Sequence, residues 1–388
     1  MKICAFLFAF FCACVSAIAA SCDSLASLAL PQTTITLAQV VPTGGFTPPT
    51  GRPDPYRNVP EFCRVAATLA PSSDSDIKVE FWLPTVGWNR KLQVVGNGGW
   101  AGTISYGALA EAVRNGYAAT STDTGHSGGS GAFVTGHPEK LIDFSWRSEH
   151  EMTVKAKAVV KAFYGAAARR AYWNGCSTGG RQALKEAQMF PDDFDGLIAG
   201  APANRTAMSL WIGQALLKDP ASYIPPSKYP LVHKAAIAAC DETDGLKDGL
   251  ISDPIRCRFD PGVLLCGQGD GPDCLTAAQV EAARKVYGPG RNPRTGKELF
   301  GTLAPGSELG WAVMGKGPEP YAAILEQARY VVYKDPNWDW RTFDFDKDND
   351  RFNRPEYLIM NGTDPHLEKF VRHGGKLLIY HGWADQKP

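Results

Sequence analysis

Residues 171–180 read Ala-Tyr-Trp-Asn-Gly-Cys-Ser-Thr-Gly-Gly, which predicts a short strand, a turn of small residues and the start of a helix. Residues 182–187, directly after the turn, are good helix formers. Ser177 lies at the turn, with Gly175 and Gly179 two residues to either side. A sharp strand-to-helix turn brings neighbouring backbone so close that a Cβ there would clash. The stretch therefore predicts a serine whose hydroxyl projects clear of a sheet, in front of the positive end of a helix.

The pattern Gly-x-Ser-x-Gly between a strand and a helix is that of the nucleophile elbow in α/β-hydrolases. It also arises by chance in a chain with 40 glycines, but the placement between a strand and a helix favours the elbow. Strand, loop and helix patterns alternate from residue 92 to residue 202, which is typical of a mostly parallel sheet with helices on both faces. The predicted fold class is α/β, with an α/β-hydrolase fold.

The alternation stops after Pro202. Residues 204–363 are rich in Pro, Gly, Asp and aromatic residues, and they contain four cysteines, so we interpret them as an inserted lid domain. Strand character resumes at residues 376–380. The predicted catalytic domain therefore comprises residues 21–203 and 364–388.

The N-terminus resembles a secretory signal over residues 1–20, with Lys2 before an apolar run and a small-residue cleavage site at 17–19. The run is too short for a membrane helix. A lipoprotein signal with Cys22 as the modified residue is a weaker alternative. We expect export to a periplasm or to the outside of the cell. Basic and acidic residues both number 40, so charge gives no argument for a nucleic acid or an anionic membrane as partner.

Three further expectations concern local structure. Residues 22–71 are rich in Pro and Thr with little periodicity, which predicts a segment that wraps the surface. Ser148 and Glu151 have the spacing of a capping box, which predicts a helix that begins at Ser148 and ends at Gly165. Alternating apolar residues at 77–83 predict a half-buried antiparallel strand.

The glycine-rich loop at residues 96–102 permits two chemical interpretations. In an α/β-hydrolase, a loop after an early strand supplies a backbone N–H to the oxyanion, here from Gly98 or Gly99, with Thr178 as the second donor. Alternatively, Gly96, Gly98 and Ala101 fit a dinucleotide fingerprint, with Asp123 as the ribose ligand. An exported protein meets little NAD, which favours the oxyanion interpretation. A plain tight turn remains the third possibility.

An acidic loop in the predicted lid contains three carboxylates within eight residues. Hard oxygen ligands on a tightly wound, glycine-containing loop suit Ca²⁺, with backbone carbonyls in the remaining positions. The spacing is not that of an EF-hand, and a solvated acidic turn is the alternative. Cys240 and Cys257 bracket the loop, and a bridge between them would organise it, which favours a structural metal. The carboxylates are those of Asp241, Asp244 and Asp248.

Taken together, these motifs resemble the tannase and feruloyl esterase family over essentially the whole mature chain. The resemblance depends on residues 175–180, 96–99, 123–126, 241–251 and 381–385. It implies a serine esterase that acts on esters of phenolic acids such as gallate or ferulate. By this resemblance Ser177 is the nucleophile and Asp385 the triad acid.

The same resemblance implies ligands and disulfides. The calcium ligands would be the three aspartates together with the carbonyl groups of Leu246 and Leu250. Three disulfides would join Cys22 to Cys63, Cys240 to Cys257, and Cys266 to Cys274.

The sequence departs from the family pattern at its C-terminal end. In the family the triad histidine lies downstream of the acid, followed by a cysteine that pairs with the one beside the nucleophile. None of the seven histidines follows Asp385. Seven cysteines remain after the signal, an odd number, and Cys176 is the one without a partner. We therefore expect the missing residues to lie beyond residue 388, and the 388-residue chain to be nearly inactive.

Two other functions remain as alternatives to the esterase. One is a non-catalytic exported protein that binds phenolic compounds or carbohydrates on the same scaffold. The other is an NAD-dependent oxidoreductase that uses the loop at 96–101. The sequence does not identify the acyl group, the alcohol or the oligomeric state.

Overall fold

A computed structural model describes residues 20–49, 54–204, 207–301 and 303–386. The predicted signal lies outside the described residues, apart from Ala20. Within these ranges eight strands form one sheet. They are β1 (Thr33–Val41), β2 (Phe62–Leu69), β3 (Ile77–Pro84), β4 (Lys91–Val95), β5 (Ala118–Thr122), β6 (Arg170–Cys176), β7 (Gly196–Gly200) and β10 (Lys376–Tyr380). A separate two-stranded ribbon pairs β8 (Gly290–Arg291) with β9 (Glu298–Phe300).

The order of strands across the sheet is β1-β2-β3-β5-β4-β6-β7-β10. The first three strands form an antiparallel meander, and β3 is also antiparallel to β5. The strands β5, β4, β6, β7 and β10, in this order across the sheet, run parallel to one another. This mixed, mostly parallel sheet with helices packed on it confirms the predicted α/β-hydrolase fold.

Helices connect strands of the sheet and also occur throughout the segment between β7 and β10. The first group is α1 (Tyr106–Arg114), α2 (Pro138–Ile142), α3 (Ser148–Tyr164) and α4 (Thr178–Met189). The second group is α5 (Met208–Leu217), α6 (Tyr229–Cys240), α7 (Ala277–Tyr287), α8 (Ala312–Gly315), α9 (Ala322–Glu326), α10 (Asn349–Phe352) and α11 (Glu368–His373).

The N-terminal segment differs from its prediction. It supplies β1 and β2, which belong to the sheet rather than to a surface wrap. Strand β1 lies at the edge and is only partly buried along most of its length, so the sequence lacks the alternation that marks a strand. Strand β3 is antiparallel as predicted, but nearly all of its residues are buried rather than every second one.

The predicted capping box at Ser148 is wrong. The chain is already helical from Pro138, which occupies the first position of α2, and a π-helical stretch at Asp143–Arg147 joins α2 to α3. The Ser148 hydroxyl donates to the carbonyl of Asp143 at 2.8 Å instead of capping a helix start. The predicted end is correct, since Gly165 adopts a left-handed conformation with φ of 67°.

Buried apolar residues form several clusters in the described part of the chain. One cluster fills the face of the sheet under α3 and α4, with Val94, Val159, Trp173 and Leu197 among its members. Two further clusters consist of residues from the segment 207–357. Another cluster combines Trp100 and Phe144 with Val331 and Met360, so it bridges the two predicted domains, and the division into a catalytic domain and a lid stays a prediction.

Three disulfides are present as the resemblance implied. Cys22 pairs with Cys63, Cys240 with Cys257, and Cys266 with Cys274. The first ties the N-terminal segment to β2, and the other two lie between β7 and β10. Over the described part of the chain, no helix has the length and apolar character needed to cross a membrane.

Helix α4 lies against the sheet at a contact that excludes a side chain. A Cβ on Gly180 would lie 2.2 Å from the carbonyl oxygen of Gly200, at the end of β7. Backbone atoms on both sides make this contact, so it cannot relax by rotation of a side chain. The glycine therefore sets the distance between α4 and β7.

We expect Gly180→Ala to lower the free energy of unfolding by about 2 kcal/mol or more, because the added methyl group overpacks a rigid backbone contact. Gly107→Ala is the matched control: Gly107 is in α1 and has no atom within 4 Å of an added Cβ. That change should leave stability equal or about 0.5–1 kcal/mol higher, since alanine favours helix. Urea unfolding of both variants measures the difference, and equal stabilities would contradict the packing argument.

Candidate active site

Ser177 lies between the end of β6 and the start of α4, at a strained turn. Its φ and ψ are 60° and −121°, a backbone conformation that residues other than glycine rarely adopt. Three hydrogen bonds hold it there: its N–H donates to Gly200 at 3.0 Å, and its carbonyl accepts from Arg181 and Ala203 at 3.1 Å each. The turn is thus the strand-to-helix elbow that the sequence predicts.

Glycines make this elbow possible. A Cβ on Gly175 would lie 2.5 Å from the carbonyl oxygen of Gly179. A Cβ on Gly96 would lie 2.5 Å from the Cα of Gly179, so the loop after β4 rests directly on the first turn of α4. Any larger residue would separate the loop from the serine.

The predicted oxyanion donors lie on the two sides of this contact. Thr178 is the first residue of α4, so its N–H is one of those at a helix start that have no intrahelical acceptor. Its hydroxyl donates to the carbonyl of Gly99 at 2.9 Å, and the N–H of Gly179 donates to Asn97 at 2.8 Å. Gly98 is exposed beside them. The structure brings these residues together, and their role at an oxyanion stays a prediction.

A buried polar chain beneath the loop was missed by the sequence analysis. The side-chain oxygen of Gln182 accepts the N–H of Asn97 at 3.0 Å, and its amide group donates to Glu149. The Asn97 side chain in turn donates to the carbonyl of Thr122 at 2.8 Å. These contacts span 25 to 85 residues of sequence, so no local pattern signals them.

Ionisable groups under the elbow are strongly affected by burial. Burial raises the pKa of Glu149 to about 7. Burial also lowers the pKa of Arg181 to about 10, with Glu149 acting in the opposite direction. The guanidinium donates to the carbonyl groups of Met360 and Ser145. Helix α4 therefore has a polar interior face at its N-terminal end.

Asp385 follows the sheet strand β10 at the same edge as the serine. Cys176 and Tyr380 both lie opposite Gly200 in the parallel register, so β6, β7 and β10 end side by side. In open parallel sheets, ligands bind outside these carboxyl ends. The carboxylate of Asp385 lies 3.6 Å from Nε2 of His381. Its role as the triad acid stays a prediction.

No described histidine hydrogen-bonds the hydroxyl of Ser177. His126 is buried and structural: Nε2 lies 2.8 Å from the Trp100 carbonyl, and the ring stacks on Phe133 at 3.8 Å. Burial lowers the pKa of His126. The other six contact carboxylates within 4 Å, namely those of Asp74, Asp193, Glu308, Glu368, Asp192 and Asp385. Cys176 is a free, exposed cysteine, as predicted.

The segment between β7 and β10 is fastened to the loops around the site. The indole N–H of Trp100, within the glycine-rich loop, donates to the carbonyl of Ala323 at 3.0 Å. Glu326 accepts from the Ser130 hydroxyl at 2.6 Å and from the Gly131 N–H at 2.7 Å. These contacts hold the predicted lid against the edge of the sheet where Ser177 lies.

The acidic loop is organised by its own carboxylates. Asp241 accepts the N–H groups of Asp248 and Gly249 at 3.2 and 2.9 Å, while Asp244 accepts that of Leu246 at 2.9 Å. Acceptance of the Leu246 N–H lowers the pKa of Asp244. Gly249 has a φ of 82°, which L side chains avoid. The donor set is all oxygen and suits Ca²⁺.

The aspartates of the loop are not gathered as closely as a bound ion requires. Among the described residues, the group of three possible metal ligands with all ligand atoms within 4.8 Å is His150, Glu186 and Asp193. Calcium binding at the acidic loop therefore stays a prediction.

The dinucleotide alternative gains no support from the position of Asp123. Its Oδ1 accepts the N–H groups of Lys78 and Gly125 at 2.9 and 2.8 Å, so the side chain caps a turn of the backbone. Burial raises the pKa of Asp123 to about 7.

A serine at a strained elbow, on a mostly parallel sheet and beneath a glycine loop, defines an α/β-hydrolase fold. The chain belongs to the tannase and feruloyl esterase family, whose sequence model, "Tannase and feruloyl esterase", matches residues 63–387.

Individual relatives agree with this assignment. An uncharacterized esterase of Xanthomonas campestris pv. campestris is 38% identical over 94% of this chain and 67% of its own length. A probable feruloyl esterase B-2 of Aspergillus terreus is 37% identical over 95% of this chain and 71% of its own. The crystal structure of feruloyl esterase B from Aspergillus oryzae superposes with a TM-score of 0.87 at 34% identity, covering 94% of this chain and 74% of that one.

We expect Ser177→Gly to be more stable than Ser177→Ala by about 1–2 kcal/mol, because glycine adopts the φ of 60° without strain whereas alanine retains it. Both variants lack the hydroxyl, so the comparison isolates the backbone. Urea unfolding monitored by tryptophan fluorescence measures the difference. If the glycine variant were no more stable than the alanine variant, the turn would store no strain.

Proposed function

We propose that this protein is a serine esterase that hydrolyses esters of aromatic and phenolic acids through an acyl-enzyme. The observation that carries the proposal is the position of Ser177: a strained turn at the start of α4, with the loop of Gly98 and Gly99 packed beside it. Such a turn presents a hydroxyl to a substrate carbonyl and places backbone N–H groups where negative charge develops.

The proposed reaction proceeds in two steps. The Ser177 oxygen attacks the ester carbonyl while a base takes its proton, and the negative oxygen is held by the N–H of Thr178 and one from Gly98 or Gly99. One such donor is worth roughly 3–4 kcal/mol of barrier. Collapse of the intermediate expels the alcohol, which receives the proton, and water then hydrolyses the acyl-serine. Asp385 would orient the base.

The substrate class is inferred from similarity. Aromatic acyl groups such as ferulate or gallate are supported by the 37% identity to a probable feruloyl esterase and by the superposition on feruloyl esterase B. No lid aromatic is assigned to the ring, because Trp311 and Trp338 are buried in the packing of the segment itself. The three disulfides support an exported protein, since such bonds persist in oxidising compartments.

We expect Ser177→Ala to abolish hydrolysis of methyl ferulate, while Ser127→Ala, an exposed serine in a nearby loop, retains it. Because no described histidine hydrogen-bonds Ser177, the 388-residue chain should turn over slowly, and added imidazole should raise the rate by supplying a base. Release of ferulate measured by liquid chromatography, with and without imidazole, provides the readout.

The outcomes separate the alternatives. Full activity in Ser177→Ala would overturn the serine mechanism, and ferulate binding without turnover in every variant would favour a binding protein. If His381→Gln lost activity and imidazole did not change the rate of the unsubstituted chain, His381 would be identified as the base.

We also propose that the loop at residues 241–250 binds Ca²⁺ through Asp241, Asp244, Asp248 and the carbonyl groups of Leu246 and Leu250. The support is the all-oxygen donor set on a loop that the bridge between Cys240 and Cys257 closes. The leucine side chains are each 62% exposed, so the loop has no apolar packing of its own to order it.

We expect Ca²⁺ to raise the melting temperature, because an ion at 100 times its Kd stabilises the folded state by about 2.7 kcal/mol. Asp241→Asn should remove the effect, since asparagine keeps the oxygen that accepts two N–H groups but loses the charge. Glu242→Gln is the control, because Glu242 pairs with Lys247 on the exposed side of the same loop. Differential scanning calorimetry with Ca²⁺ or EDTA checks this, and an equal shift in both variants would contradict the assignment.

A further inference from the structure

Glu186 is a buried carboxyl group that the proposed reaction does not use. It lies in α4 nine positions after Ser177 and is 1% exposed. Neither of its carboxyl oxygens has a hydrogen-bond partner among the described residues. A buried, unpartnered carboxylate is costly, and native proteins pair such groups with a donor or a cation. The position therefore needs an explanation.

Two other side chains that could bind a metal ion lie close to Glu186. His150 is in the first turn of α3, and Asp193 is in the loop between α4 and β7. Nδ1 of His150 and Oδ2 of Asp193 lie 2.7 Å apart. One ligand atom from each of the three residues lies within 4.8 Å of the others. The orphaned carboxyl group and the cluster are separate observations that lead to the same place.

The surroundings orient these side chains. The His150 ring stacks on Phe190 at 3.7 Å with an interplanar angle of 12°, which fixes the ring plane. Lys157 donates to the other oxygen of Asp193, Oδ1, at 2.9 Å, which leaves Oδ2 facing the histidine. Such outer contacts are typical of metal sites, where they hold the ligands in position. Lys157 also balances part of the negative charge, so the ion-free protein can fold.

We propose that His150, Glu186 and Asp193 form a binding site for a divalent transition cation such as Zn²⁺. An imidazole nitrogen with two carboxylates suits Zn²⁺ better than Ca²⁺, which prefers oxygen ligands alone. Small side-chain rotations would bring the three ligand atoms to roughly 2.0–2.2 Å from a shared ion, the length of Zn–N and Zn–O bonds. The ion would replace the hydrogen bond between His150 and Asp193.

A cation here would act as a cross-link. It would join α3 and the loop that leads into β7 to α4, the helix that begins directly after Ser177. Without the ion, burial raises the pKa of Glu186, and the nearby carboxylates of Glu149 and Asp193 add to the rise.

The test is titration of the chelator-dialysed 388-residue protein with Zn²⁺ by isothermal calorimetry, alongside melting temperature. Saturating Ca²⁺ is present to occupy the acidic loop, and iodoacetamide blocks the exposed thiol of Cys176. We expect one Zn²⁺ per chain and a higher melting temperature. Glu186→Gln and His150→Gln should each weaken this binding at least tenfold.

His373→Gln is the matched control. Nδ1 of His373 lies 3.4 Å from a carboxylate oxygen of Asp192, the residue before Asp193, and both side chains are exposed. It should bind Zn²⁺ as the wild type does. Absence of binding in the wild type would overturn the proposal, as would equal affinity in Glu186→Gln, His150→Gln and His373→Gln. The readout is independent of esterase activity, and His150→Gln, at the partly exposed edge of the cluster, serves if Glu186→Gln does not fold.

Discussion

The close backbone contact between the glycine loop and the catalytic helix is the constraint on which the site depends. Gly96 meets Gly179, Gly175 meets Gly179, and Gly180 meets Gly200, each at a distance that excludes a Cβ. These contacts hold the loop, the elbow and the ends of two parallel strands as one unit. Placement of the serine relative to the amide groups thus follows from backbone packing, which side-chain rotation cannot loosen.

The elbow costs free energy that the rest of the fold supplies. A side chain at a φ of 60° and a ψ of −121° is strained by about 1–3 kcal/mol. Helix α4 resists relaxation because it is buried against β6 and β7, with Trp173 and Ala183 in one cluster. The polar chain from Glu149 through Gln182 to Asn97 adds directional contacts beneath the loop. Rigidity at the serine therefore has both apolar and polar sources.

Much of the fold and some of the site could be predicted because the signals are local. The strand, turn and helix around Ser177 are encoded by consecutive residues. Strand β1 was missed because it lies at the sheet edge, where partial burial leaves little alternation, and β2, which pairs with β1 and β3, was missed with it. Helix α3 begins at Ser148 as predicted, but the capping box is wrong because the chain is already helical from Pro138. Long-range contacts, such as that of Gln182 with Asn97, leave no local pattern. The full set of disulfides came from the family resemblance, although the acidic loop between Cys240 and Cys257 already suggested one of them.

One consequence of the fold concerns chemical access to the elbow. The sulfur of Cys176 is exposed one residue before the serine, whose backbone is held by three hydrogen bonds. The signal of a spectroscopic label attached there would therefore depend on the surroundings of the label rather than on motion of its attachment point. Changes in its signal would track the approach of a ligand or the opening of the neighbouring segment, in a protein whose other described cysteines are all engaged.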